Sequence, residues 1–386
     1  MKDLDDQTLK QLIEFRRELH RTAEVSGAEE ETARRVRAFL EDQQPDGLMQ
    51  HIGGNGLAAT WTGDREGPSV MIRAELDALP IPETNAFEYR SKTEGVSHKC
   101  GHDGHMAILG GVAYGLNRTG PKKGSVCLLF QPAEETGEGA RRVLADEKFK
   151  RMAPDYIFAL HNLPGYPENQ VVTREGIFSS ASRGLEIYLK GSTSHAAHPE
   201  RGISPAPALA QLIQSLAAFP QHHTSIEESA KVTVIHAALG AIAFGTSPGQ
   251  AECRATLRSH DRKVMQRLCE KAEHLATETA RAHRLEVDLN WVEIFEPTVN
   301  DAQCNTFVRR AAETNGFDTT ARETPFAWSE DFGRFTSKFK GAMFGLGAGA
   351  DCPQLHAGDY DFPDRLIPAG TAMFMEIIDQ ILGLER

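Results

Sequence analysis

Between residues 185 and 292 the apolar positions spell out strand (185–189), helix (205–218), two strands (232–237 and 251–257), a long helix (262–282) and a last strand (285–292). That order, β-α-β-β-α-β, is the split-βαβ or ferredoxin-like unit, complete within about 110 residues and able to fold as a module. The flanks follow a different rule. Before the module, helical spacing over 5–43 breaks at Ser26-Gly27, and short apolar runs at 57–61, 70–72, 126–130 and 156–160 alternate with helical stretches near 104–117 and 138–146. After Glu296-Pro297 come a helix (302–314), a strand (342–346) and a final helix (369–382). Strand/helix alternation of this kind predicts an α/β layer structure whose sheet is completed by both ends of the chain. The expected organisation is one α/β domain from 1–183 and 296–386, with 184–295 inserted as a smaller α+β domain. The 386 residues exceed the roughly 250–300 at which one core stops growing, so two domains are the natural outcome.

Acidic residues outnumber basic ones, 54 to 42, for a formal net charge of −12. A nucleic-acid partner is therefore not expected, since phosphate binding needs a basic face. No run approaches the ~18–20 apolar residues of a membrane span, and the charged start MKDLDDQTLKQLIEF resembles neither a signal nor a transit peptide. Six scattered cysteines lack the density of a disulfide scaffold. Together these features predict a cytoplasmic protein with reduced thiols and no membrane partner.

The densest chemical cluster is SHKCGHDGH at 97–105, with three histidines, a thiol and a carboxylate in nine residues. Such soft and borderline donors suit a transition metal such as zinc, and the density argues against a polar loop with chance histidines. QPAEE at 131–135 follows an apolar run, so one glutamate can bind metal while its neighbour faces the bound water. Taken alone, it reads better as a solvated acidic loop, with Glu138 extending the run. His161 and His356 each close a strand-like run. Singly each is a structural histidine, but four element ends offering metal donors fit the habit of open α/β sheets to collect sites at one edge.

Taken in order, RRELH (16–20), RAELDALP (73–80), HKCGHDGH (98–105), QPAEE (131–135), LHNLPG (160–165), GSTSHAAHP (191–199), SEDFG (329–333) and LHAGDYDF (355–362) resemble the aminoacylase and glutamate-carboxypeptidase superfamily of dinuclear metallopeptidases. The narrower likeness is to its amidohydrolase branch of N-acyl-amino-acid, hippurate and auxin-conjugate hydrolases. The resemblance implies a zinc-exopeptidase-like α/β catalytic domain with an inserted ferredoxin-like α+β lid that forms a homodimer. It implies two divalent ions per subunit, Zn, Mn or Co. Cys100 would bridge them, His102 and His161 completing one site and Glu135 and His356 the other. Glu134 would be the general base, Asp77 the carboxylate orienting a ligand histidine, and His195 the lid histidine that polarises the scissile carbonyl. The implied activity is hydrolysis of an N-acyl amino acid or aryl-acyl conjugate, a small-molecule substrate. Arg258, at the end of a lid strand, is a candidate for the substrate carboxylate, with a surface ion pair as the alternative.

The sequence departs from the branch in three places. Glu75 stands where an aspartate is usual, Gly245 where the lid turn carries an asparagine, and 179–183 lacks an acidic residue. These changes bear on substrate identity, and they admit a catalytically silent homologue as a second reading; the joint presence of Glu134 and His195 speaks against it. A dipeptidase or carboxypeptidase on the same site would differ only in the acyl group accepted.

Overall fold

The computed structural model describes residues 4–385 and divides the chain into two compact units. One runs to Phe178 and resumes over Thr298–Pro325 and from Asp331 onward; the other is Ser179–Pro297 with Phe326–Glu330. The pentapeptide joins the second unit through Ser180, whose Oγ donates to the Phe326 carbonyl at 2.6 Å and whose N–H reaches the Trp328 carbonyl at 3.0 Å.

The first unit is built on an eight-stranded mixed sheet in the order Gly47–Ile52, Gly56–Thr62, Lys123–Gln131, Arg65–Glu75, Tyr156–Pro164, Lys340–Gly349, Val171–Thr173, Thr319–Ala321. Four central strands, from Lys123–Gln131 to Lys340–Gly349, run parallel. They are buried on both faces, as parallel strands with covering helices must be. Helices Asp6–Arg21, His102–Arg118, Ala302–Asn315 and Leu366–Leu382 contribute Leu12, Ile108, Val308 and Phe374 to one continuous core. The strand predicted at 70–72 in fact spans Arg65–Glu75, because its polar end, Arg73 and Glu75, is buried and mutually paired. Gly47–Ile52 and the three-residue strands at Val171 and Thr319 were not expected; the first is largely half-exposed and the others are too short to show periodicity.

The second unit carries a four-stranded antiparallel sheet in the order Ala230–Leu239, Gln250–Ser259, Ala181–Lys190, Glu286–Phe295. In chain order this is strand two, three, one, four, the ferredoxin-like arrangement expected. Along Gln250–Ser259 burial alternates, with Ala251, Cys253, Ala255 and Leu257 packed against Leu212 and Leu216 of helix Ala206–Ala217 and Leu268 and Ala272 of helix Arg262–Ala282. Asp261 caps the latter helix by accepting the N–H groups of Lys263 at 2.7 Å and Val264 at 3.0 Å. No helix among the described residues is long and apolar enough to cross a membrane.

Candidate metal centre

The parallel strands of the first unit deliver the candidate residues at one sheet edge. Glu75 and Gln131 pair at the ends of adjacent strands, so Asp77 and Glu134-Glu135 leave the sheet side by side. His161 pairs with Gly345 one strand further, and the loop after Lys340–Gly349 carries His356. His102 opens helix His102–Arg118 behind Gly101, whose φ of +90° belongs to the left-handed region. A Cβ at Gly101 would lie 2.8 Å from Asn162 Oδ1 and 2.9 Å from Tyr360 Oη, so only glycine fits.

Two donor groups meet there and share one atom. Cys100, His102 and His161 have ligand atoms within 4.8 Å of one another, and so do Cys100, Glu135 and His356. Cys100 Sγ is 3.4 Å from His161 Nε2, while the Glu135 carboxylate lies 3.8 Å from His102 Nε2 and 3.9 Å from His356 Nε2. The ring orientations are fixed from behind. His102 Nδ1 donates to the Asp77 carbonyl at 2.8 Å and His161 Nδ1 to the Asn162 carbonyl at 2.9 Å, which directs both Nε2 lone pairs to the cluster. Burial holds both rings neutral, His102 well below the usual histidine range and His161 down to about 3. His102 Nε2 is buried yet makes no hydrogen bond among the described residues, and a buried lone pair left without a partner costs about 1–3 kcal/mol. A thiol, three imidazoles and a carboxylate fit a borderline divalent metal ion.

Asp77 acts differently from the expectation. Its backbone carbonyl, not its carboxylate, orients His102; the carboxylate is 3.8 Å from His102 Nδ1. Asp77 Oδ1 instead accepts the Glu134 N–H at 3.1 Å, and Oδ2 accepts the Glu135 N–H at 3.0 Å and the Ser26 hydroxyl at 2.6 Å. The aspartate thus clamps the turn that carries both glutamates. Burial pushes its carboxyl up to about 7, against the pull of the Ser26 and backbone hydrogen bonds. Left-handed backbone marks this turn at Ala133, just before Glu134, with φ +52°, and the separate loop carrying His356 at φ +66°. His356 is held in place by its N–H, which donates to the Lys99 carbonyl at 2.8 Å.

Several buried pairings around the centre were not anticipated, although their residues stand in motifs the sequence reading singled out. His105 sits between Glu75 Oε2 and Asn162 Oδ1, 2.6 Å from each. Burial alone would raise the Glu75 carboxyl, but Arg73 and His105 outweigh it and hold Glu75 well below its ordinary range. Asp103, next to His102, takes Arg16 at 3.0 Å and His20 at 2.8 Å from the first helix. RRELH and the charges of SHKCGHDGH were the available signal, but nothing in either spacing states that they meet.

The inserted unit holds His195, Gly245 and Arg258. His195 is exposed in a short pairing of Ser194–His195 with Thr246–Ser247, and its Nδ1 accepts the Ala197 N–H at 3.1 Å. The neutral ring therefore carries its proton on Nε2. A Cβ added at Gly245 meets nothing within 4 Å. Arg258 Nη1 donates to the Ala327 carbonyl at 3.2 Å and to Ser329 Oγ at 3.1 Å, and no carboxylate lies within ion-pair distance among the described residues.

Comparison with known proteins agrees with this architecture. N-acetylcysteine deacetylase of Bacillus subtilis is 30% identical over 368 residues, 95% of each chain. N-acetyldiaminopimelate deacetylase of Priestia megaterium is 30% identical over 353 residues, 90% of this chain and 92% of that one. A solved dinuclear metal-binding peptidase of the M20 family from Bacillus subtilis superimposes with a TM-score of 0.81 at 28% identity, covering 98% of this chain and 99% of its own. Residues 71–380 match the model of peptidase family M20/M25/M40, and the chain belongs to that family of metal-dependent hydrolases.

Proposed function

We propose that the protein hydrolyses the amide bond of an N-acyl amino acid with two divalent cations held by Cys100, His102, Glu135, His161 and His356. The observation that carries this reading is the pair of donor groups joined at Cys100, beside a buried glutamate that belongs to the same turn. The similarity to deacetylases of N-acetylcysteine and N-acetyldiaminopimelate supports an N-acyl amino acid as substrate. Cations held there would supply Lewis acidity toward the amide carbonyl and would lower the pKa of a bound water.

The chain's own groups do the rest. Glu134, only 3% exposed and fixed through the Asp77 clamp, takes the proton of the attacking water and returns it to the nitrogen as the C–N bond breaks, leaving a carboxylic acid and an amine. His195, with its proton on Nε2, is assigned to donate to the carbonyl oxygen as negative charge develops. Arg258, half-buried and, among the described residues, bonded to the neutral acceptors of Ala327 and Ser329, is assigned to the substrate carboxylate. A homodimer through the inserted unit is supported by strand Ala230–Leu239, an outer strand of its sheet that exposes Ile235 and Leu239.

A panel of N-acetyl and aryl-acyl amino acids, assayed with added zinc, manganese or cobalt, tests the reaction. Glu134→Gln should lower kcat by about 10²-fold or more with metal content retained, whereas Glu135→Gln should lose metal. Activity retained in Glu134→Gln would assign the base elsewhere; Asp103, the alternative within the same loop, is instead buried against Arg16 and His20.

A further inference from the structure

Asp331 lies at the start of a segment 200 residues from Gln131 in sequence, is fully buried, and belongs to none of the donor groups assigned to the cations above. Its carboxylate is saturated with donors. Oδ1 accepts Arg73 Nη2 at 2.6 Å, and Oδ2 accepts Gln131 Nε2 and the Ala140 N–H, each at 2.8 Å. Arg73 Nε also donates to Gln131 Oε1 at 2.9 Å, so guanidinium, amide and carboxylate close a ring of hydrogen bonds. The backbone N–H of the same aspartate points the other way and donates to Glu134 Oε1 at 3.1 Å.

We propose that Asp331 is a positioning residue for Glu134: its side chain, locked by Arg73, Gln131 and Ala140, aims its backbone N–H at the carboxylate that moves the proton. The inference rests on the assignment of Glu134 as general base. Its geometry is specific, because the anchors flank the residue they serve. Gln131 ends the strand three residues before Glu134, and Ala140 lies in the first turn of helix Gly139–Ala145, which follows. Asp331 is therefore located relative to the very turn that presents Glu134. Asp77 fixes the backbone of that turn from one side, and Asp331 fixes a side-chain oxygen from the other. A rotameric carboxylate becomes a group with one orientation, which proton transfer rewards because misplacement by about 1 Å can cost 10²-fold in rate.

Asp331→Asn keeps the shape but must turn an amide nitrogen toward either Arg73 or the Gln131 and Ala140 donors, so the lock opens. The expected result in metal-loaded enzyme is a kcat lower by roughly 10–100-fold, with KM within about threefold and two cations per subunit retained. A double-mutant cycle separates positioning from plain structural support. In the Glu134→Gln background, where no carboxylate remains to be aimed, Asp331→Asn should lower the residual activity by less than about twofold. A further tenfold loss in that background, or loss of metal in the single variant, overturns the proposal. Full activity in Glu134→Gln alone would instead remove the general-base assignment, a separate outcome read from a separate protein. If Asp331→Asn does not accumulate folded, Gln131→Met withdraws one of the three donors while leaving the Arg73 pair, and the same cycle with it must show the same non-additivity.

Discussion

Replacing Arg16 by methionine should destabilise the catalytic unit by about 3 kcal/mol, far more than the same change at its neighbour Arg17. Arg16 is fully buried in the first helix and contacts three carboxylates, Asp103 at 3.0 Å, Asp361 at 2.9 Å and Asp364 at 2.6 Å. Only Asp103 is wholly shielded from water; Asp361 and Asp364 keep 26% and 19% of their side-chain surface exposed. Breaking a buried pair by removing one partner costs about 3–5 kcal/mol, and the two half-solvated pairs add at most about 1 kcal/mol each. His20, still 2.8 Å from Asp103, offsets part of the loss, and the guanidinium no longer has to be desolvated. The balance is about 3 kcal/mol, or a midpoint lower by roughly 6–10 °C. Arg17 is 35% exposed and, among the described residues, has one carboxylate partner, Asp364 at 2.8 Å, so Arg17→Met should cost under about 1 kcal/mol. Urea and thermal unfolding of both variants, followed by circular dichroism, give the comparison. Equal losses at the two positions, or a loss below about 1 kcal/mol for Arg16→Met, would refute the claim that this charge cluster holds the first helix to the metal-binding loop.

His20 makes the same cluster sensitive to alkali. Burial alone would lower its pKa, but hydrogen bonds to Asp103 and Glu83 outweigh it and raise the ring to about 9. The folded value lies above the ordinary one near 6.5, so its contribution, about 3 kcal/mol, is full below pH 6.5 and is lost as pH rises through 9. The stability difference between wild type and His20→Gln should shrink over that interval, and a difference independent of pH would contradict the assignment. Gly245→Asn should fold with stability within about 0.5 kcal/mol of wild type, because a Cβ there meets open space, and should alter the ratio of kcat/KM between acetyl and aryl-acyl substrates. An unchanged ratio would show that the turn is remote from the acyl group.

The candidate residues were legible for two reasons: His161, Glu134 and Glu135 follow apolar runs at 156–160 and 126–130, whereas Cys100 and His102 stand out by the density of the 97–105 cluster. Parallel strands in register then bring those ends to one edge, and fold-level rules suffice to anticipate the meeting. What stayed hidden depends on pairings with no local signature. Asp331 meets Arg73 across 258 residues, and neither position carries a periodicity that names its partner. Buried Arg73 and Glu75 also cut the apparent strand short, since charged residues read as exposed until their partners are known. Asp77 was anticipated at the site, yet the group that orients His102 is its carbonyl, and a backbone atom leaves no mark on residue identity. The ferredoxin-like module was the opposite case, because alternating burial along its strands and the wide apolar faces of its two helices are local properties.

Anomalous diffraction from metal-loaded crystals, with elemental analysis of the same protein, tests the account most directly. It should reveal two cations per subunit joined through Cys100, one completed by His102 and His161 and the other by Glu135 and His356. A single ion, or a pair whose ligands omit Cys100 or His356, would contradict it.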